Sequence, residues 1–159
     1  MNYFELFDIP VSLYVDKGNL PKKYFELQKK YHPDFYIQAD EAEQQEVLEK
    51  SSAINKALKI FQNKDSTIKY VLQLKGLLQE EEKYPFPPDF LMEVMELNEN
   101  LTANSTGAIV AFENDIYAGV KTIIETYNDD TISTADLLKI KEYYFKKKYL
   151  QRILDRLDD

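Results

Sequence analysis

Apolar residues recur at helical spacing through nearly the whole chain. An α-helix turns about 100° per residue, so Leu20, Tyr24, Leu27 and Tyr31 fall on one stripe about 60° wide. Asn19 stands before it as a candidate N-cap, and Pro21 is tolerated in the first turn. Proline disfavours the α region for the residue before it, which predicts a stop at Tyr31 or His32. A second helix is predicted from about Glu41 to Phe61, with Val47, Ile54, Leu58 and Phe61 as its seam and Ser51 at one seam position. Packed antiparallel, the two form a hairpin whose connecting loop carries His32, Pro33 and Asp34. A further run, Tyr70 to Lys75, ends at Gly76 in the manner of a helix C′ residue. Beyond it stand Glu80, Glu81 and Glu82, expected to be solvated, and then Pro85, Pro87 and Pro88, which cannot continue a helix.

Three more helices are predicted after that break. The first covers about Pro88 to Leu101, with Phe90, Val94, Leu97 and Leu101 on one stripe. The second runs from about Ser105 to Tyr127 along Ile109, Phe112, Ile116, Val120, Ile123 and Tyr127. The third starts at Ser133, with Asp136 as a capping-box partner, and continues through Ile140, Tyr143, Leu150 and Leu154 to Leu157. Short connections between them read as an antiparallel three-helix bundle. The fold class is therefore all-α, with units at 1–76 and 89–159 joined by an acidic, proline-rich linker at 77–88.

The helix opening the second unit has one apolar face too many. Leu91, Met92 and Met95 lie roughly 100° to 200° around from its seam, beside Glu96 and Glu99. Large apolar side chains among acids mark a partner site, and methionine suits adaptable surfaces. The alternative is that the first unit covers this face across the linker.

Composition narrows the function classes. The chain has no cysteine, which excludes a disulfide scaffold, a thiolate metal site and a cysteine nucleophile. No apolar run approaches the length of a membrane span, and the N-terminus shows no targeting pattern, so a cytoplasmic protein without membrane contact is expected. Residues 1–76 carry 11 lysines against 11 acids, whereas residues 77–159 carry 9 basic and 17 acidic residues, giving the whole net charge of −8. Nothing there resembles the clustered basic surface that nucleic acid requires. A hydrolytic enzyme lacks a spare histidine and a glycine-rich phosphate loop.

His32 is the only histidine, and it follows a helix whose far side carries Lys22, Lys29 and Lys30, with Lys23 at the edge. A histidine phosphotransfer domain is also small, acidic and helical, but its imidazole sits on a helix face, from which Pro33 would displace His32.

The Tyr3-Phe4-Glu5-Leu6-Phe7 opening, the basic helix, His32-Pro33-Asp34 and the longer antiparallel helix together resemble a J-domain. Ser52-Ala53-Ile54-Asn55-Lys56-Ala57, Phe90-Leu91-Met92-Glu93 and the helical tail bring the resemblance closer to the HscB-type co-chaperones of iron–sulfur cluster assembly. It looks like the bacterial form without an N-terminal metal knuckle, although Thr67-Ile68 stands where that family commonly has an Arg-Ala pair. The resemblance implies a co-chaperone and not an enzyme; a monomer without cofactor or metal is expected. Its His32, Pro33 and Asp34, with Lys22, Lys23, Lys29 and Lys30, would dock a DnaK/HscA-type chaperone in its ATP state and stimulate hydrolysis there. Leu91, Met92, Met95, Glu96, Glu99 and Tyr149 would bind the iron–sulfur cluster scaffold protein. A J-domain co-chaperone serving a different client is the alternative.

Overall fold

The computed structural model describes residues 1–99 and 105–157, and all regular structure among these is helical. Two compact units emerge, Met1–Val71 and Leu72–Asp159. The seam position expected at Leu101 lies outside the described residues.

In the first unit, α1 (Tyr3–Leu6) is capped by Asn2, whose side chain accepts from the Glu5 amide at 2.8 Å. Its Phe4, together with Phe7, is buried against Phe61, with ring centroids 4.9 and 5.4 Å away. The chain leaves α1 through Asp8 at φ 52°, a left-handed conformation. Lys23 braces that turn, its Nζ donating to the Phe7 and Asp8 carbonyls at 3.3 and 3.0 Å. The Lys23 ammonium thus ties α1 to the next helix.

That helix is α2 (Leu20–Tyr31), and it packs on α3 (Glu41–Phe61). Asn19 occupies the cap position of α2 without a side-chain hydrogen bond. Its backbone is helical, whereas the capping residues Asn2 and Asp40 are extended. Asp40 does cap α3, accepting from the Glu43 amide at 2.8 Å. Val47, Ser51, Ile54, Ala57 and Phe61 form the buried face of α3, while Leu58 is only partly covered. The polar seam position Ser51 is satisfied by Gln28, at 3.4 Å. Asn55 Oδ1 completes the clasp between the helices, accepting from Tyr24 Oη at 2.8 Å and Gln28 Nε2 at 2.9 Å.

Next, α4 (Lys64–Leu74) places Thr67 and Ile68 in the core. The Thr67 hydroxyl reaches the Ile60 and Asn63 carbonyls, both at 2.9 Å, so this polar residue fits a buried site without an orphaned group. The helix ends as predicted. Gly76 adopts φ 72°, and the Leu77 amide bonds back to the Leu72 carbonyl at 2.9 Å, closing a Schellman turn.

The segment from Leu77 to Pro87 is tied to the second unit. Leu78 is buried, Tyr84 stacks on Phe145 at 4.8 Å, and Phe86 packs against Phe90 at 5.0 Å. Glu82 departs from the expected solvated run by pairing with Lys141 at 2.6 Å. The first helix of this unit, α5 (Pro88–Glu99), buries Phe90 and Val94 in a cluster with Ile109, Leu150 and Ile153.

The long middle helix of the sequence reading is two helices, α6 (Ser105–Ala118) and α7 (Lys121–Glu125). The break falls at Gly119, the residue type that helix interiors tolerate worst after proline. It rephases the seam, so that Ile124 is buried where Ile123 was expected. Finally, α8 (Thr134–Leu157) packs against α6 and starts behind Ser133, whose hydroxyl accepts from the Asp136 amide at 3.1 Å. The turn between α7 and α8 is held by Asp129, which accepts from Tyr127 Oη at 2.8 Å and pairs with Lys75 at 2.6 Å.

Two stability predictions follow from these contacts. A Cβ at Gly76 would meet nothing within 4 Å, so the cost of Gly76→Ala is conformational alone. The substitution should lower the urea-unfolding free energy by about 1–2 kcal/mol.

The second concerns acid. Lys141 and the Gln79 amide hold the Glu82 carboxyl below its ordinary range. Burial pushes Asp129 up, but its bonds with Lys75 and Tyr127 outweigh that and leave it lowered. A carboxyl depressed by folding stabilises above its unfolded pKa, about 4. That contribution is lost as pH falls toward the folded value. Glu82→Gln and Asp129→Asn should each flatten the loss of stability below about pH 4, measured by denaturant unfolding along a pH series.

Candidate functional site

Pro33 shapes the loop after α2. His32 has left helical geometry, with φ −70° and ψ 129°, and Pro33–Tyr36 form a single 3-10 turn. Within that turn the Asp34 amide donates to His32 Nδ1 at 3.2 Å, and the Phe35 amide donates to the His32 carbonyl at 3.0 Å. The Asp34 carboxylate stands 3.6 Å from the same nitrogen, with 80% of its side-chain surface open against 47% for His32.

Anchors outside the tripeptide hold the turn. Tyr36 Oη donates to the Lys30 carbonyl at 2.6 Å, tying the turn to the end of α2. Gln44 on α3 donates to the Tyr36 and Ile37 carbonyls at 3.0 and 2.9 Å. The loop is thus fixed from both helices while its imidazole and carboxylate stay accessible. A phosphotransfer histidine on a helix face does not match this geometry.

Lys22, Lys29 and Lys30 are exposed on α2, as their helical phase predicts. Lys30 and Lys50 both lie over the Tyr31 ring, at 5.3 and 4.8 Å, so α3 adds a cation that sequence phase did not single out. Two aromatic residues also escaped the sequence reading: Phe25 is 61% exposed and Phe35 69%. Lys29 covers Phe25 at 5.2 Å, and Phe35 stands edge-on to His32 at 6.0 Å. The signal was present, since Phe25 lies about 140° from the Leu20 stripe and four residues before Lys29.

The second candidate surface is on α5. Leu91, Met92 and Met95 are 39%, 63% and 59% exposed, with Glu96 and Glu99 exposed beside them. Tyr149 differs from this group. It is partly buried, packs against the Phe90 cluster, and meets Phe86 at 5.4 Å and Phe90 at 6.2 Å. Its ring also lines a cleft of about 480 Å³ with Tyr84, Phe145, Lys148 and Arg152.

Among the described residues, no cluster of three or more His, Asp or Glu is placed to hold a metal ion. No described helix is long and apolar enough to cross a membrane.

Comparison with known proteins covers both units of the chain. Residues 86–158 match the family described as the HSCB C-terminal oligomerisation domain. A co-chaperone protein HscB homolog from Acinetobacter baylyi is 32% identical over 159 residues, covering 99% of this chain and 90% of its own. One from Vibrio cholerae is 29% identical, covering 99% of each chain. Among solved structures, human co-chaperone HscB matches with a TM-score of 0.78 at 26% identity, over 99% of this chain and 81% of that one. Chaperone HscB from Vibrio cholerae matches with a TM-score of 0.66 at 27% identity, over 99% and 96%. The chain belongs to the HscB family of co-chaperones, helical proteins that join a J-domain to a C-terminal helical bundle.

Proposed function

We propose that this chain stimulates ATP hydrolysis by a DnaK/HscA-type chaperone and brings to it the scaffold protein of iron–sulfur cluster assembly. The observation that carries the reading is the fixed loop at the end of α2. There His32 and Asp34 are held by Pro33, Tyr36 and Gln44 beside an exposed lysine face. Lys22, Lys29 and Lys30 supply long-range attraction to an acidic chaperone surface, which speeds encounter and sets register. Asp34 pairs with a basic group of the chaperone, and the hydrolytic chemistry stays in that partner.

Residues 1–76 are the activating part on this reading, and residues 89–159 the scaffold-binding part, with 77–88 as the connecting segment. The scaffold meets Leu91, Met92, Met95, Glu96 and Glu99, where apolar surface supplies affinity and the carboxylates supply orientation. Tyr149 contributes by supporting Phe86 and Phe90 behind that helix. One monomer carrying both surfaces keeps the scaffold at high effective concentration near the chaperone.

Single-turnover hydrolysis by the chaperone tests the first half. Wild-type protein should accelerate it, and His32→Gln should lose most of that acceleration at any protein concentration. No acceleration by wild type would sink the reading.

Titration calorimetry tests the second half. Leu91→Ala with Met95→Ala should weaken scaffold binding by roughly a hundredfold, two interface anchors being lost. Unchanged scaffold affinity would assign the α5 face to a different client.

A further inference from the structure

The lysines of α2 leave one feature of its exposed side unexplained. Phe25, Lys29 and His32 stand four and three residues apart, which puts them within about 60° on one side of the helix. Phe35 extends the line, its ring edge-on to the imidazole at 6.0 Å. The result is a ridge of aromatic, cation, imidazole and aromatic, mostly open to solvent.

The ridge is held in shape. Lys29 lies over the Phe25 ring at 5.2 Å. Phe35 belongs to the 3-10 turn that Tyr36 and Gln44 anchor to α2 and α3. Large apolar side chains on rigid supports lose little conformational freedom when a partner covers them.

We infer that Phe25 and Phe35 are apolar anchors that seat in a hollow of the DnaK-type chaperone and select which such chaperone this protein engages. The inference rests on the docking reading above and deepens it. The ridge is continuous with His32, so a chaperone that docks the loop meets both rings. The lysine charge attracts any acidic surface and is screened by salt. Apolar fit is short-ranged and dependent on shape, so it separates partners of similar charge.

The test uses the full chain in single-turnover hydrolysis. It is titrated against the chaperone it stimulates best and against a second DnaK-type chaperone, at about 0.05 M and about 0.5 M salt. With the preferred chaperone, Phe25→Ser and Phe35→Ser should each raise the half-maximal concentration about tenfold at both salts, and Phe25→Ser should leave the maximal rate unchanged. With the second chaperone the shift should be small. Phe25→Leu should retain most of the affinity. Lys22→Gln with Lys30→Gln should weaken binding at low salt only, and His32→Gln should lower the maximal rate. Both rings are exposed, so the thermal unfolding midpoints of the serine variants should match wild type.

An unchanged half-maximal concentration would overturn the inference. So would a shift that disappears at high salt, or one equal for the two chaperones. Sedimentation showing that the same substitutions dissociate copies of this chain would overturn it in favour of self-association. Failure of the docking reading itself is distinguishable, because wild type then stimulates neither chaperone.

Discussion

In a chain that is helical almost throughout, architecture is decided by where helices are made to stop. Only 4 glycines and 6 prolines are available for this, and several stand at a change of direction. Pro33 forces His32 out of α2 and opens the 3-10 turn. Gly76 supplies the left-handed residue that closes α4, a conformation any side chain would resist. Pro85 and Pro87 keep the chain out of helix until Pro88 opens α5 as its first residue, and Gly119 divides α6 from α7. Apolar seams hold the resulting pieces together, but they act only on helices of the right length. A Pro33 displaced by one turn would carry His32 onto the body of α2 and leave no loop to present.

This explains which features the sequence made legible. Stops made by proline or by a left-handed glycine have a local steric cause, and these were found where the residues stand. The break at Gly119 was missed because its neighbours keep helical spacing on both sides, so the periodic pattern runs across it. Leu58 and Ile123 were misplaced for the related reason that helical phase gives a direction and not the depth of the neighbouring surface. Capping divides in the same way. Asp40 and Ser133 act as their types suggest, whereas Asn19 has a helical backbone and makes no side-chain cap.

The candidate site shows where residue type ceases to predict role. Lys22 and Lys23 are adjacent and chemically identical, yet one is exposed and the other braces the turn after α1. The difference arises from a carbonyl pair more than a dozen residues away in sequence. Tyr36 and Gln44 were invisible for the same reason, since their value lies in reaching backbone groups across a tertiary gap. Exposure of Leu91, Met92 and Met95 was legible because a single helix, through its own phase, presents them.

The two surfaces also divide electrostatic labour in opposite senses. On α2 the charge surrounding the exposed apolar residues is positive, and on α5 it is negative. Like charges facing each other across an interface cost several kcal/mol, so a partner suited to one surface is repelled by the other. On the proposed reading this keeps chaperone and scaffold from exchanging places, although each surface presents exposed apolar side chains. Charge then sorts partners by class, while the shape of the apolar contact selects within a class. Two exposed apolar surfaces could coexist in one chain without this sorting only if fit alone told every partner apart.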